Sequence, residues 1–177
     1  SSLDRDDLVI SVSTAEETKA YPLRILIWHE VVNDVVGNTP VAVTYCPLCG
    51  TAMTFKSESG GRRRSFGVSG LLYQSDVLLY DRETESLWSQ LAMKAVSGPA
   101  VGTELDWVPS QLMKFGAWRE KHPEGLVLSF ETGHRRDYQG SPYQRYFESD
   151  ALMFPVEISR DELEQKDWVI GIIRDGR

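Results

Sequence analysis

The chain has 177 residues, 41% of them hydrophobic and 25% charged, which suffices for one compact domain with its own core and excludes a disordered segment. Its net charge of -7 argues against a broad basic face for nucleic acid, because phosphate binding draws on clustered Lys and Arg. No apolar run approaches the roughly 20 residues of a bilayer span, Ser1-Ser2-Leu3-Asp4 lacks the pattern of a signal peptide, and two cysteines are too few for a disulfide scaffold.

The expectation is therefore a single domain over residues 1–177, compatible with a piece of a longer natural chain. Residues 8–12 form a short β-prone run and read as the first arm of a hairpin. Pro22 suits the first turn of a helix, and Leu23, Leu26, Ile27 and Glu30 follow at helical spacing, with Trp28 and His29 near its end. Residues 31–36 and 41–45 are β-branched runs separated by Gly37-Asn38-Thr39-Pro40, a turn signal. The second run leads directly into Cys46. Residues 51–56 and 65–69 read as a further pair of strands around Gly60-Gly61, followed by β-prone pieces at 77–80 and 87–90.

Helical signals concentrate in residues 110–121, where Ser110 is placed to cap and Leu112, Phe115 and Trp118 recur at helical spacing before Pro123 and Gly125. Residues 126–130 read as a strand and 138–146, rich in Tyr, as an ordered surface segment. Arg62-Arg63-Arg64 and Arg135-Arg136 read as solvated turns, as do the carboxylates Asp76, Asp81, Glu83 and Glu85. A weak echo relates Asp7-Leu8-Val9-Ile10-Ser11-Val12 to Asp167-Trp168-Val169-Ile170-Gly171-Ile172, a pattern that adjacent terminal strands would explain. The fold class expected is mainly β (α+β): a mixed or antiparallel β barrel or sheet domain with a few short helices.

The distinctive chemistry lies in the turn Cys46-Pro47-Leu48-Cys49-Gly50. Cysteines three apart can aim both sulfurs at one ion, Pro47 stiffens the turn, and Gly50 permits a positive φ. One such knuckle supplies two ligands, so the remainder must come from His, carboxylate, solvent or another chain. His29 is the first choice for a third ligand, with His134 and His122 behind it. Two thiolates and an imidazole suit copper(I), or zinc with an open position. The same spacing permits a thiol–disulfide oxidoreductase, although no helix start follows to lower a thiol pKa. A structural disulfide, or two small buried side chains in a non-catalytic binding module, is the third reading. Gly67-Val68-Ser69-Gly70 lacks the spacing of a nucleophile elbow, and no phosphate-binding glycine loop is present.

Longer motifs carry a resemblance. Ala20-Tyr21-Pro22-Leu23-Arg24-Ile25-Leu26, Trp28-His29-Glu30, Asn33-Asp34, Thr44-Tyr45-Cys46-Pro47-Leu48-Cys49-Gly50, Phe66-Gly67-Val68-Ser69-Gly70-Leu71-Leu72-Tyr73 and Ser86-Leu87-Trp88-Ser89-Gln90 resemble the family called domain of unknown function 3179. The resemblance runs from about residue 8 to 172 and implies no settled activity. It implies that the polar residues grouped in these motifs form a site, and it favours an exported or periplasmic location. The reading reached is a metal-binding domain holding copper or zinc through Cys46, Cys49 and His29, with Glu30, Asn33, Asp34, Asp81 and Gln90 as supporting or substrate-facing groups. Its expected partner is a small molecule or a metal-donor protein, with no nucleic acid and no membrane span.

Overall fold

A computed structural model describes residues 3–157 and 162–169. In chain order the strands and helices are β1 (Leu8–Ser13), β2 (Thr18–Pro22), α1 (Leu23–His29), β3 (Val31–Val36), β4 (Thr39–Cys46) and β5 (Thr51–Lys56). They continue with β6 (Glu58–Ser59), β7 (Arg62–Arg63), β8 (Phe66–Tyr73), β9 (Asp76–Asp81), β10 (Leu87–Ser89) and β11 (Lys94–Ser97). The last are β12 (Trp107–Val108), β13 (Ser110–Lys114), α2 (Phe115–Lys121), β14 (Leu126–Val127) and α3 (Gln144–Phe147). Three open four-stranded sheets result, in the orders β13-β1-β2-β14, β12-β5-β4-β3 and β11-β10-β9-β8, beside the small β6–β7 pair. The fold is thus mainly β, without a closed barrel. All neighbours are antiparallel except β14, which runs parallel to β2. No described helix is long and apolar enough to cross a membrane.

The sheet β12-β5-β4-β3 is the middle layer, and the two-residue period of β4 shows why. Val41, Val43 and Tyr45 pack with Ile10, Val12, Tyr21 and Leu26 of the first sheet and α1. Ala42 and Cys46, on the alternate face, pack with Phe66, Leu79 and Trp88 of the third sheet. A strand buried on both faces reads as an almost unbroken apolar run, as residues 41–46 do. Each fully buried Val, Leu or Phe in these layers contributes about 1.5–3 kcal/mol of hydrophobic free energy. Helix α2 covers the outer face of the first sheet with Trp118, which packs with Val9 and Ala20 and donates its Nε1–H to Ser11 Oγ at 3.1 Å.

The hairpin and the short helix near the start form where the sequence places them. Pro22 stands at the N-cap of α1, and the helix ends because Glu30 turns left-handed, with φ 58°, while its N–H reaches Leu26 O at 2.7 Å. Asn33 staples the second sheet to the third: it donates Nδ2–H to Phe66 O and accepts the Phe66 N–H at Oδ1, both at 2.8 Å. Its amide copies the peptide pairing that the edge strand β3 would otherwise lack.

Other expectations change. Residues 110–114 are strand, not helix, because Leu112 pairs with Ile10 and Met113 with Val9 in the first sheet; only residues 115–121 keep the helical pattern, and Lys114 rather than Ser110 stands at the N-cap. The strand expected over 126–130 is reduced to Leu126–Val127. The Tyr-rich segment is not wholly surface, since Tyr138 and Tyr146 are buried. Arg64, Asp76 and Asp81 are buried as well, whereas Arg62, Arg63, Glu83 and Glu85 are exposed as expected. Asp167, Trp168 and Val169 lie in no strand, and the rest of the proposed echo, 170–172, lies outside the described residues.

Candidate functional site

Two hairpin tips from different sheets meet at the cysteines. The first is the turn between β4 and β5, where Cys46 pairs with Thr51 across the ladder. Because β4 alternates, Cys46 faces the third sheet and is 1% exposed, while Cys49, at the tip, is exposed. Gly50 adopts φ +62°, and a side chain there would meet the Trp168 ring at 3.2 Å. The second tip joins β8 to β9: Gln74 and Ser75 both have positive φ, 52° and 60°, in a two-residue loop closed by the Tyr73–Asp76 pair. Such loops favour Asn-Gly, so Gln-Ser here carries strain of about 1–3 kcal/mol per residue.

The second tip sets Asp76 and the Ser75 carbonyl against the thiols. Cys46 Sγ donates to Ser75 O at 3.6 Å, and Cys49 Sγ to Asp76 Oδ1 at 3.7 Å. The donor atoms of Cys46, Cys49 and Asp76 lie within 4.8 Å of one another, a set that could hold a metal ion. Asp76 is 2% exposed, and its Oδ2 accepts Leu91 N–H at 3.1 Å and Ser89 Oγ at 3.4 Å. Burial raises its pKa against those hydrogen bonds. The thiols split: the Cys49 S–H stabilises a thiolate at Cys46 and lowers its pKa, while donation to Cys46 and burial raise that of Cys49. The first proton is therefore lost from a shared pair.

Among the groups expected from sequence, Gln90 adjoins this turn. It is fully buried and donates Nε2–H to Thr44 Oγ1 at 2.8 Å and to Thr51 O at 3.2 Å. His29 does not join the cluster: its Nε2 is 2.7 Å from Tyr138 OH, and its ring stands 5.1 Å from that of His134. Burial, then His134 and Arg136, lower its pKa. Glu30 accepts Tyr143 OH at 3.3 Å, and burial raises its pKa. Asn33 is spent on Phe66, and Asp34 accepts Tyr21 OH at 2.9 Å and pairs with Lys19 at 3.3 Å. Asp81 accepts Trp88 Nε1–H at 2.7 Å; burial opposes its ionisation, but Trp88, Thr84 and Arg64 hold its pKa low.

Sequence reasoning missed Asp76, and it missed the aromatic cover. Tyr146 OH donates to Leu48 O at 2.8 Å, and Lys166 Nζ lies 3.6 Å from the Tyr146 ring centroid. The signal for Asp76 was a two-residue polar break, Gln74-Ser75, between β-prone runs; nothing local in it pointed to the cysteine turn.

Fold and site together define a β-rich domain with a two-thiol, one-carboxylate cluster between sheets. A family model described as "Protein of unknown function (DUF3179)" matches residues 1–177, and the chain belongs to that family. Neither a curated protein nor a solved structure matches it.

Proposed function

We propose that this is a metal-binding domain in which Cys46, Cys49 and Asp76 hold a zinc ion and leave one position to an exchangeable ligand. The observation that carries the reading is the approach of a buried carboxylate to a thiol pair from another sheet, 3.7 Å from Cys49 Sγ. In a tetrahedral zinc site the edge between a thiolate and a carboxylate oxygen is about 3.5 Å, so this spacing needs little adjustment. A carboxylate suits zinc better than copper(I), which prefers thiolate or imidazole; copper is the second metal in the order of preference. Leu91 N–H and the Ser89 hydroxyl orient Asp76, as supporting donors commonly do for ligating carboxylates. The fourth position, on the side of the exposed Cys49, would take water, a small molecule or a ligand from a metal-donor protein.

A thiol–disulfide role is the competing reading, favoured by the coupled free thiols. It fits less well, since Cys46 is buried and the accessible Cys49 donates to the Asp76 carboxylate, whose negative charge opposes the thiolate that attack on an external disulfide requires. The two are separated on protein prepared without a chelating tag. Elemental analysis after zinc loading, free-thiol counting and a cobalt(II) absorption spectrum are expected to give one ion per chain, two reduced thiols and thiolate-to-cobalt bands. Unchanged metal affinity in both Cys46→Ser and Cys49→Ser would sink the assignment.

A further inference from the structure

A second site lies at the other end of the middle sheet. Ser57 N–H bonds Pro40 O near the start of β4, six residues before Cys46, hence roughly 20 Å from the cysteines at about 3.3 Å per residue. Here Asn33, Asp34, Ser57, Arg63, Arg64 and Ser65 line a cleft of about 280 Å³, at the small end of ligand-sized cavities.

Arg64 is 7% exposed and Ser57 3%. Arg64 Nε and Nη1 and Ser57 Oγ have no hydrogen-bond partner among the described residues. The nearest countercharge, Asp81 Oδ1, stands 3.6 Å from Nη1, beyond hydrogen-bond range, and is already served by Thr84 and Trp88. The guanidinium instead lies over the Trp88 ring, 5.0 Å from its centroid. Buried polar groups are nearly always paired, so three orphan donors on residues lining one cleft call for an acceptor. The other polar groups are engaged: Asn33 with Phe66, Asp34 with Lys19 and Tyr21, and Ser65 with Glu83.

We infer that this cleft binds the carboxylate of a small organic acid, with Arg64 and Ser57 as its recognition groups and Arg63 at its rim. A planar monoanion matches a guanidinium fork. Asp81 behind Arg64 and Glu83 on Ser65 leave too little positive charge for a dianion such as phosphate, Lys19 being matched by Asp34.

The test is a ¹⁵N NMR titration of the whole chain with sodium acetate, with sodium chloride and inorganic phosphate as parallel arms at matched ionic strength. Acetate is expected to shift the Arg64 Nε–H and the Ser57 and Arg63 amides saturably, to leave the cysteine turn unmoved, and to do the same in Cys46→Ser protein. Ser57→Ala should weaken binding about fivefold, the worth of one hydrogen bond, and Arg64→Lys should abolish saturation. Should Arg64→Lys fail to fold, Ser57→Ala and Arg63→Ala carry the test, each with weakened binding. Linear shifts, shifts reproduced by chloride, tighter binding of phosphate, or full acetate affinity in the folded variants would each overturn the inference.

Discussion

Asp76→Asn separates metal ligation from mere support of the fold, because its two effects have opposite sign. In the metal-free protein the buried carboxylate has a raised pKa, set first by desolvation. Such a group contributes stability below its unfolded pKa and loses it as pH rises through the folded one. Burial thus disfavours the charged form, and an amide, whose oxygen can still accept Leu91 N–H, is expected to leave the metal-free protein at pH 7 equally or more stable. With zinc the order reverses. At a free ion concentration of 100 Kd the wild type gains about 2.7 kcal/mol, and for a chain of this size that raises Tm by roughly 5–10 °C. Loss of a charged ligand is expected to weaken binding about 100-fold; at the same zinc concentration the gain then falls to about 0.4 kcal/mol, or about 1 °C. Thermal melts of both proteins, with and without zinc in a metal-buffered solution, measure all four values. An equal zinc-induced rise in the variant would refute the assignment of Asp76, whatever its metal-free stability.

Three further outcomes follow from the geometry. His29→Ala should leave metal stoichiometry unchanged, as elemental analysis would show, because its ring faces Tyr138 and His134; loss of the ion would restore His29 as a ligand. Glu30 has a raised pKa from burial, so its stabilising contribution is present at pH 4 and declines as pH rises; urea denaturation at pH 4 and 7 should show Glu30→Gln losing less stability over that interval than wild type, and parallel losses would contradict this. Replacing Gln74-Ser75 by Asn-Gly relieves two positive-φ residues at the cost of the Ser75 Oγ–H bond to Phe154 O and the Glu157 N–H bond to Gln74 Oε1, and the relief should exceed that loss by about 1 kcal/mol in the metal-free chain; a decrease in the urea midpoint would show that the strain is worth less than those two bonds.

The sequence made the cysteine turn and much of the β architecture readable because their signals are local: two sulfurs three residues apart, and β-branched runs with Gly and Pro between them. Residues 110–114 were misread because Leu112, Phe115 and Trp118 keep a helical spacing, while the pairing of Leu112 with Ile10 is a contact across a hundred residues. Asp76 and Arg64 were hidden for the same reason. Each stands in a polar stretch that looks solvated, and each is buried by strands that reach it from elsewhere in the chain. His29 shows the converse: nearness to the cysteine hairpin in sequence did not bring its ring to the thiols, since the segment around Tyr138 occupies its outer side.

The meeting of two hairpin tips also orders events during synthesis. The thiol pair leaves the ribosome 27 residues before the carboxylate that completes the cluster, and Asp76 arrives at the thiols only once the third sheet has docked on the second. A nascent chain therefore carries a bare dithiol through the interval when an oxidant could close it into a disulfide. Once the sheets dock, an ion gripping both tips would clasp them together, and slowed amide exchange along β8 and β9 on metal loading would report that clasp from within the sheets.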